Sequence, residues 1–179
     1  EFQKKRYQSD KITVPISTNL SWMDFYDETI MNWLEKKCAD TSMPSGLYRM
    51  EITETSYAAI EADRSATLEA LREAGILLLL DDFGSGYSSF GMLQNYNFDI
   101  MKIDMSFVRQ IETNAKTRSI IRFIIEMAHT MDIKIIAEGA ETKEQVEFLR
   151  DNGCDYIQGY YFYKPMPEEE FVKLLDAGR

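Results

Sequence analysis

An α/β fold with a parallel sheet is predicted by three observations. Six short apolar segments recur along the chain, at residues 12–17, 48–52, 76–80, 100–103, 133–137 and 156–157. Amphipathic helical stretches separate most of them, the alternation that produces parallel strands joined by helical crossovers. Each segment carries or leads to a polar residue at its end: Asn19, Glu51, Asp81 with Asp82, Lys102 with Asp104, Glu138, and Gln158. Parallel strands place all those ends on one rim. Chemistry at the carboxyl ends of several strands is the pattern of a (β/α)8 barrel, here incomplete, with about six of its eight strands present.

The elements follow in order. Residues 1–10 are polar and read as the tail of a surface helix, with Lys4-Lys5-Arg6 as a solvated end. Residues 23–38 read as a helix in which Phe25, Ile30, Trp33 and Leu34 share an apolar side. The loop 41–46, with Pro44 and Gly46, resets the chain for the second strand. Asp63 or Ser65 caps a helix running through Leu68 and Leu71, and Gly75 ends it. Residues 76–80 are apolar without alternation, as in a strand covered on both faces. A short helix is expected at 88–94. A long one at 116–131 buries Ile120, Ile121, Ile124, Ile125 and Ala128. Thr142 caps a helix at 143–152 that Gly153 ends, and Pro167 suits the first turn of a closing helix at 168–175.

The chain has 179 residues, 45% hydrophobic and 28% charged, enough for one domain over residues 1–179 with a sizeable core. No stretch approaches the roughly 20 apolar residues that span a bilayer, and no signal-peptide pattern opens the chain. A cytoplasmic location is expected, although the parent protein could be membrane-anchored through a missing N-terminal part. Net charge is −10, from 20 basic and 30 acidic residues. With no basic stripe, DNA and RNA are excluded as partners. Acidity still admits a phosphate-bearing ligand if metal ions bridge it to the carboxylates. Cys38 and Cys154 have no metal-ligand or redox spacing and read as free thiols in a reducing compartment. His129 is the single histidine and reads as a packing or surface residue, which leaves a Ser/His/Asp triad nothing to draw on.

A rim of five carboxylates, one lysine and two amides repels itself unless cations sit there, so the pattern points to a metal-dependent active site. In Glu51-Ile52-Thr53-Glu54, Glu51 is a metal ligand and Glu54 an outer anchor; the plain alternative is solvent-facing charge. The string from Asp81 to Ser89 sets two adjacent aspartates after buried aliphatics, costly without counter-charge. Their side chains diverge and could address two neighbouring metals; the alternative is an ordinary turn with Asp caps. The Gly-Ser-Gly that follows matches neither phosphate-loop pattern. Lys102-Ile103-Asp104 puts an ammonium and a carboxylate on one strand face, to hold the attacking water or the phosphate, against a structural ion pair. Glu138 is placed as a metal ligand or general base. Glu141 either joins the site or merely opens a helix. Asn19 and Gln158 gain weight only from their matching positions after strands.

Together, Asn19-Leu20-Ser21, Glu51-Ile52-Thr53-Glu54, Asp81 through Ser89, Lys102-Ile103-Asp104, Glu138-Gly139-Ala140-Glu141-Thr142 and Gln158-Gly159-Tyr160 resemble the EAL-domain family. These are bacterial phosphodiesterases acting on cyclic di-GMP, and the strings occur in the family's order across essentially the whole chain. The resemblance implies a TIM-type barrel and a site for two ions, Mg²⁺ or Mn²⁺. It makes Asn19, Glu51, Asp81, Asp82 and Glu138 metal ligands, and gives the water to Lys102 and Glu138. Asp104, Glu141 and Gln158 complete the inner shell, and Glu54 anchors the loop after Asp82. The family's Glu-Ala-Leu motif, with its glutamate ligand and substrate-holding arginine, is absent at a strand end. Glu69-Ala70-Leu71 spells the letters inside a predicted helix and is rejected. An N-terminally truncated domain of weak or no activity is therefore expected. The implied activity is hydrolysis of cyclic di-GMP to linear 5′-pGpG; the alternative is a non-catalytic cyclic di-GMP receptor or regulatory interaction module. A homodimer and an upstream sensor or cyclase-like domain are further expectations.

Overall fold

The computed structural model describes residues 2–21, 23–38, 44–53, 65–84, 91, 93–94 and 96–178. Six strands form one sheet in sequence order: β1 (Ile16–Asn19), β2 (Tyr48–Thr53), β3 (Leu77–Phe83), β4 (Ile100–Ile103), β5 (Lys134–Ala137) and β6 (Tyr156–Ile157). Every neighbouring pair is parallel. The helices are α1 (Phe2–Gln8), α2 (Glu28–Cys38), α3 (Ser65–Glu73), α4 (Met105–Val108), α5 (Ala115–Thr130), α6 (Lys143–Asp151) and α7 (Glu168–Asp176). None of the described helices is long and apolar enough to cross a membrane.

The sheet curls into a half-barrel. In a flat sheet, strands four places apart stand roughly 19 Å apart. Yet the Arg49 guanidinium on β2 lies 5.8 Å from the centre of the Tyr156 ring on β6. Strand alternation then separates two apolar cores. Met50, Ile52, Leu78, Leu80, Met101 and Ile103 are buried on the convex face, packed with Leu68, Leu71, Ile121, Ile125 and Leu149 of the helices. On the concave face, Leu79, Ile100 and Ile136 form a smaller cluster with Leu77. That layer supports the rim, because Glu51 is in register with Leu79, and Lys102 with Ile136.

The helix ends obey local chemistry. Thr142 caps α6 in a reciprocal box with Gln145, and Gly153 follows at φ 83°. Asn114 Oδ1 caps α5 by accepting from the Lys116 and Thr117 N–H groups. Gly75 leaves α3 at φ 86°, and Glu69-Ala70-Leu71 lies within that helix. Ser65 is the first residue of α3, while Asp63 and most of the helix expected at 88–94 fall outside the described residues.

Several expectations are corrected. The strand expected at 12–17 begins at Ile16, because Pro15 lacks an N–H and α1 takes the preceding carbonyls: Gln3 donates to Val14 and Arg6 Nε to Ile12. Arg6 is no solvated end; it is buried and holds Asp176 of α7 at 2.7 Å. The helix expected at 23–38 is broken at Asp27, whose carboxylate accepts from the Thr29 and Ile30 N–H groups and starts α2 afresh. Ile30 packs on the core, while the Phe25, Trp33 and Leu34 side chains fall outside the described residues. On α5, Ile121, Ile124, Ile125 and Ala128 are buried as expected, but Ile120 is 45% exposed. The two aspartates expected after the third strand lie inside it.

Leu79 is fully buried beneath the rim. Leu79→Ala is expected to cost about 2–5 kcal/mol, read from urea denaturation; a loss below about 1 kcal/mol would show that the concave layer is not packed.

Candidate active site

Parallel pairing brings the carboxyl ends of the strands to one rim, and the curl turns their inward side chains toward each other. Lys102 on β4 sits at the centre. Its Nζ lies 2.8 Å from Glu51 Oε2 on β2, 2.9 Å from Asp81 Oδ1 on β3 and 2.8 Å from Glu138 Oε1 just beyond β5. The lysine side chain is only 5% exposed. Burial alone would lower its pKa, but hydrogen bonds to Glu138, Glu51 and Asp81 outweigh burial and hold it above the ordinary lysine range. It is therefore a permanent cation.

Asp82 sits beside the cluster at a backbone irregularity. Between Leu80 and Phe83 the β3–β4 register slips by one residue, and Asp82 adopts φ 56°. Such a bulge re-aims a side chain that regular alternation would send to the opposite face. Burial raises the Asp82 pKa first; the charges of Asp81 and Asp104 add to it, and Lys102 opposes. Glu138 is likewise raised, first by burial, with Lys102 opposing and Asp81 and Glu51 reinforcing.

Two glycines let the loops crowd together. A Cβ on Gly139, which sits at φ 74°, would stand 2.6 Å from Met105 Cβ, so the loop after Glu138 can press against the one after Lys102. A Cβ on Gly159 would stand 2.1 Å from the Ala140 carbonyl oxygen, where the β6 exit meets the β5 exit. Gln145 Oε1 accepts from the Glu141 N–H at 2.7 Å and the Thr142 N–H at 3.1 Å, pinning the same loop from α6.

The remaining expected residues are placed unequally. Asn19 ends β1 in register with Glu51, and is exposed. Asp104 caps α4 by accepting from the Ser106 N–H at 3.0 Å. Gln158 is tied by its backbone to Ala137 and Ala140 and is exposed. Glu141 is not drawn into the cluster around Lys102: its side chain is 47% exposed and lies 3.5 Å from Arg109. Glu54 lies outside the described residues, as does the loop from Ser85 to Phe90. Among residues not anticipated as site components, Arg109 and the aromatic run after Gly159 stand on this rim; only the run of aromatics was visible in sequence.

His129 and Cys154 stay out of the site. His129 Nε2 lies 2.9 Å from Asp155, near the opposite ends of the strands. Cys154 is a free, half-buried thiol, its pKa pushed up to about 12 by burial. The Cys38 side chain falls outside the described residues.

The donor set fits divalent cations. Three carboxylates against one ammonium leave a charge of −3 + 1 = −2 in a buried cluster, before Asp82 and Asp104 are added. All the donors are hard oxygens of the kind Mg²⁺ and Mn²⁺ prefer. Among the described residues, no three acidic, histidine or cysteine side chains stand ready as a cage by themselves; the ammonium holds that centre, and a cation would compete with it for the same oxygens.

Comparison with known proteins identifies the family. Residues 1–165 match the family described as EAL domain, in agreement with the resemblance drawn from the motifs. The cyclic di-GMP phosphodiesterase NbdA of Pseudomonas aeruginosa is 43% identical over 112 residues, covering 63% of this chain and 14% of NbdA. The solved EAL domain of Mycobacterium smegmatis DcpA matches with a TM-score of 0.88 at 27% identity, covering 99% of this chain and 80% of that one. Klebsiella pneumoniae BlrP1, solved as a manganese/cy-diGMP complex, matches with a TM-score of 0.78 at 27% identity, covering 89% of this chain and 41% of that one. Its calcium/cy-diGMP complex gives a TM-score of 0.76 at 29% identity, with 84% and 39% covered. The chain spans 14% to 25% of the length of the curated relatives it matches.

Two outcomes test the electrostatics. Lys102→Met leaves three buried carboxylates without their shared cation and is expected to cost about 3–5 kcal/mol in urea denaturation with chelator present; an unchanged midpoint would refute the shared pairing. The raised carboxyl of Glu138 contributes stability that is fully present below the ordinary carboxylate range and is lost as pH rises through its shifted value. Glu138→Gln should therefore gain stability relative to the unsubstituted protein as pH rises out of the ordinary carboxylate range. A difference that stays constant with pH would contradict the shift.

Proposed function

This chain belongs to the EAL domain family, and from that premise we propose that the protein carrying it hydrolyses one phosphodiester bond of cyclic di-GMP to give linear 5′-pGpG. The observation that carries the reading is the convergence of Glu51, Asp81 and Glu138, from three different strand ends, on the buried Lys102 ammonium. Asn19, Glu51, Asp81, Asp82 and Glu138 would hold two divalent ions, Mg²⁺ or Mn²⁺. Such ions supply Lewis acidity and neutralise charge developing on the phosphoryl oxygens.

The chain's own residues account for the rest. Glu138, its pKa raised by burial, is the general base, since a raised carboxyl sits nearer the operating pH. It takes one proton from water as the water oxygen bonds to phosphorus. The bond from phosphorus to the 3′-oxygen breaks, and that oxygen takes up a proton from solvent. Lys102, held cationic, orients the water and offsets negative charge beside the phosphate. Asp104 steadies the exit of β4, and its charge helps raise Asp82. Gln158 lines the rim for substrate, and Glu141 ties the loop after Glu138 to Arg109. Glu54 would anchor the loop beyond Asp82, as the resemblance implies. The setting we propose is cytoplasmic, in a homodimer with an upstream sensor or cyclase-like domain.

Turnover of cyclic di-GMP by the full-length protein, followed by chromatography of 5′-pGpG, tests the reading. Asp81→Asn and Glu138→Gln should each lower kcat by about 10²–10⁴-fold, and chelation should abolish a rate that Mg²⁺ or Mn²⁺ restores. Undiminished turnover in both variants would overturn the site assignment. Tight binding without turnover in either metal would identify a receptor instead.

A further inference from the structure

The loop that follows Glu138 is tied down by a bond that helix capping does not require. Glu138 leads directly into Gly139, which sits at φ 74° and has no Cβ to restrict its backbone. The direction of the Glu138 carboxylate therefore depends on how the next residues are held. The Glu138 N–H donates to the Ile103 carbonyl and the Ala140 N–H to the Gln158 carbonyl, each at 3.1 Å. The next two amides, of Glu141 and Thr142, both go to one atom, Gln145 Oε1, at 2.7 Å and 3.1 Å.

Glutamine mostly lies on protein surfaces, yet Gln145 is only 5% exposed. A capping box needs the bond from the Thr142 N–H alone. The bond from Glu141 is the shorter of the two, and Glu141 lies outside α6. It serves the loop and not the helix. The other side-chain tie at Glu141 is the ion pair with Arg109, exposed on both sides and so of little strength. Removing the Gln145 oxygen would leave two amide donors without their partner.

We propose that Gln145 is a positioning residue for Glu138. By holding the loop 139–142 from α6, it keeps the Glu138 carboxylate at its 2.8 Å from Lys102. The inference rests on the reading of Glu138 as general base and extends it to a residue outside the carboxylate cluster. A misplacement of about 1 Å at a reacting group can cost about 10²-fold in rate.

The test uses the full-length protein with cyclic di-GMP at saturating Mg²⁺ or Mn²⁺, together with amide hydrogen exchange on the metal-free protein. Gln145→Met and the milder Gln145→Asn, one methylene shorter, each withdraw the oxygen. Each should lower kcat by about 10- to 100-fold with KM changed less than about threefold. The Glu141 and Thr142 amides should exchange faster in both. Gln145→Glu keeps an acceptor and suits the same capping box, so its kcat should stay within about threefold of the unsubstituted protein. In a Glu138→Gln background, Gln145→Asn should lower kcat less than about threefold further, because the two residues act as a unit. Asn114→Ala, which removes the cap of α5, should lower the melting temperature and leave kcat unchanged. An undiminished kcat in Gln145→Asn would overturn the positioning role while the substrate reading stands. So would an equal loss in the Glu138→Gln background, or a matching loss in Asn114→Ala, which would mark simple destabilisation. No turnover by the unsubstituted protein in either ion would remove the substrate reading, and the positioning role with it.

Discussion

One buried ammonium organises this molecule. Lys102 can satisfy carboxylates from β2, β3 and the β5 exit only because the sheet curls. Without the lysine, three anions would face each other in a poorly solvated pocket. With it, the charges are tied together but remain unbalanced by two. Desolvating such a cluster is costly even when paired, and the upward shifts at Asp82 and Glu138 register that cost. A hard divalent cation would offset that imbalance. Stability is thus surrendered locally to hold a reactive charge arrangement.

The two rims of the half-barrel divide the labour. Near the amino ends of the strands, carboxylates act as clamps. Asp99 accepts from the Leu78 N–H at 2.8 Å and from Arg72 at 3.2 Å. Asp155 accepts from the Ile135 N–H at 3.0 Å while holding Lys134 and His129. Each such carboxylate has its donors close by, and Asp155 is pulled below the ordinary range by those hydrogen bonds despite some burial. At the carboxyl ends the carboxylates outnumber the cations and are left wanting. That asymmetry distinguishes the two rims, and in barrels built from βα units chemistry is generally found at the carboxyl ends of the strands.

Close loop packing transmits the arrangement. Gly139 against Met105 and Gly159 against Ala140 join successive strand exits, so Glu138 and Lys102 keep hydrogen-bond distance. The concave layer of Leu79, Ile100 and Ile136 supports them from below.

Local patterns in the sequence determined much of this. Runs such as 76–80 marked buried strands, the polar residues following them marked the rim, and Thr142 with Gln145 and Gly153 marked the ends of α6. These signals act over a few residues, where periodicity and capping chemistry are decisive. Tertiary structure alone decided the rest. Pairing of Arg6 with Asp176 spans 170 positions, and nothing local distinguishes that arginine from its lysine neighbours. Which side of α5 Ile120 faces, where β1 starts after Pro15, and how the bulge re-aims Asp82 depend on register and on what packs opposite. Above all, the sharing of one ammonium among Glu51, Asp81 and Glu138 was not legible, because it arises only when a curved sheet brings non-adjacent strands within reach of a single side chain.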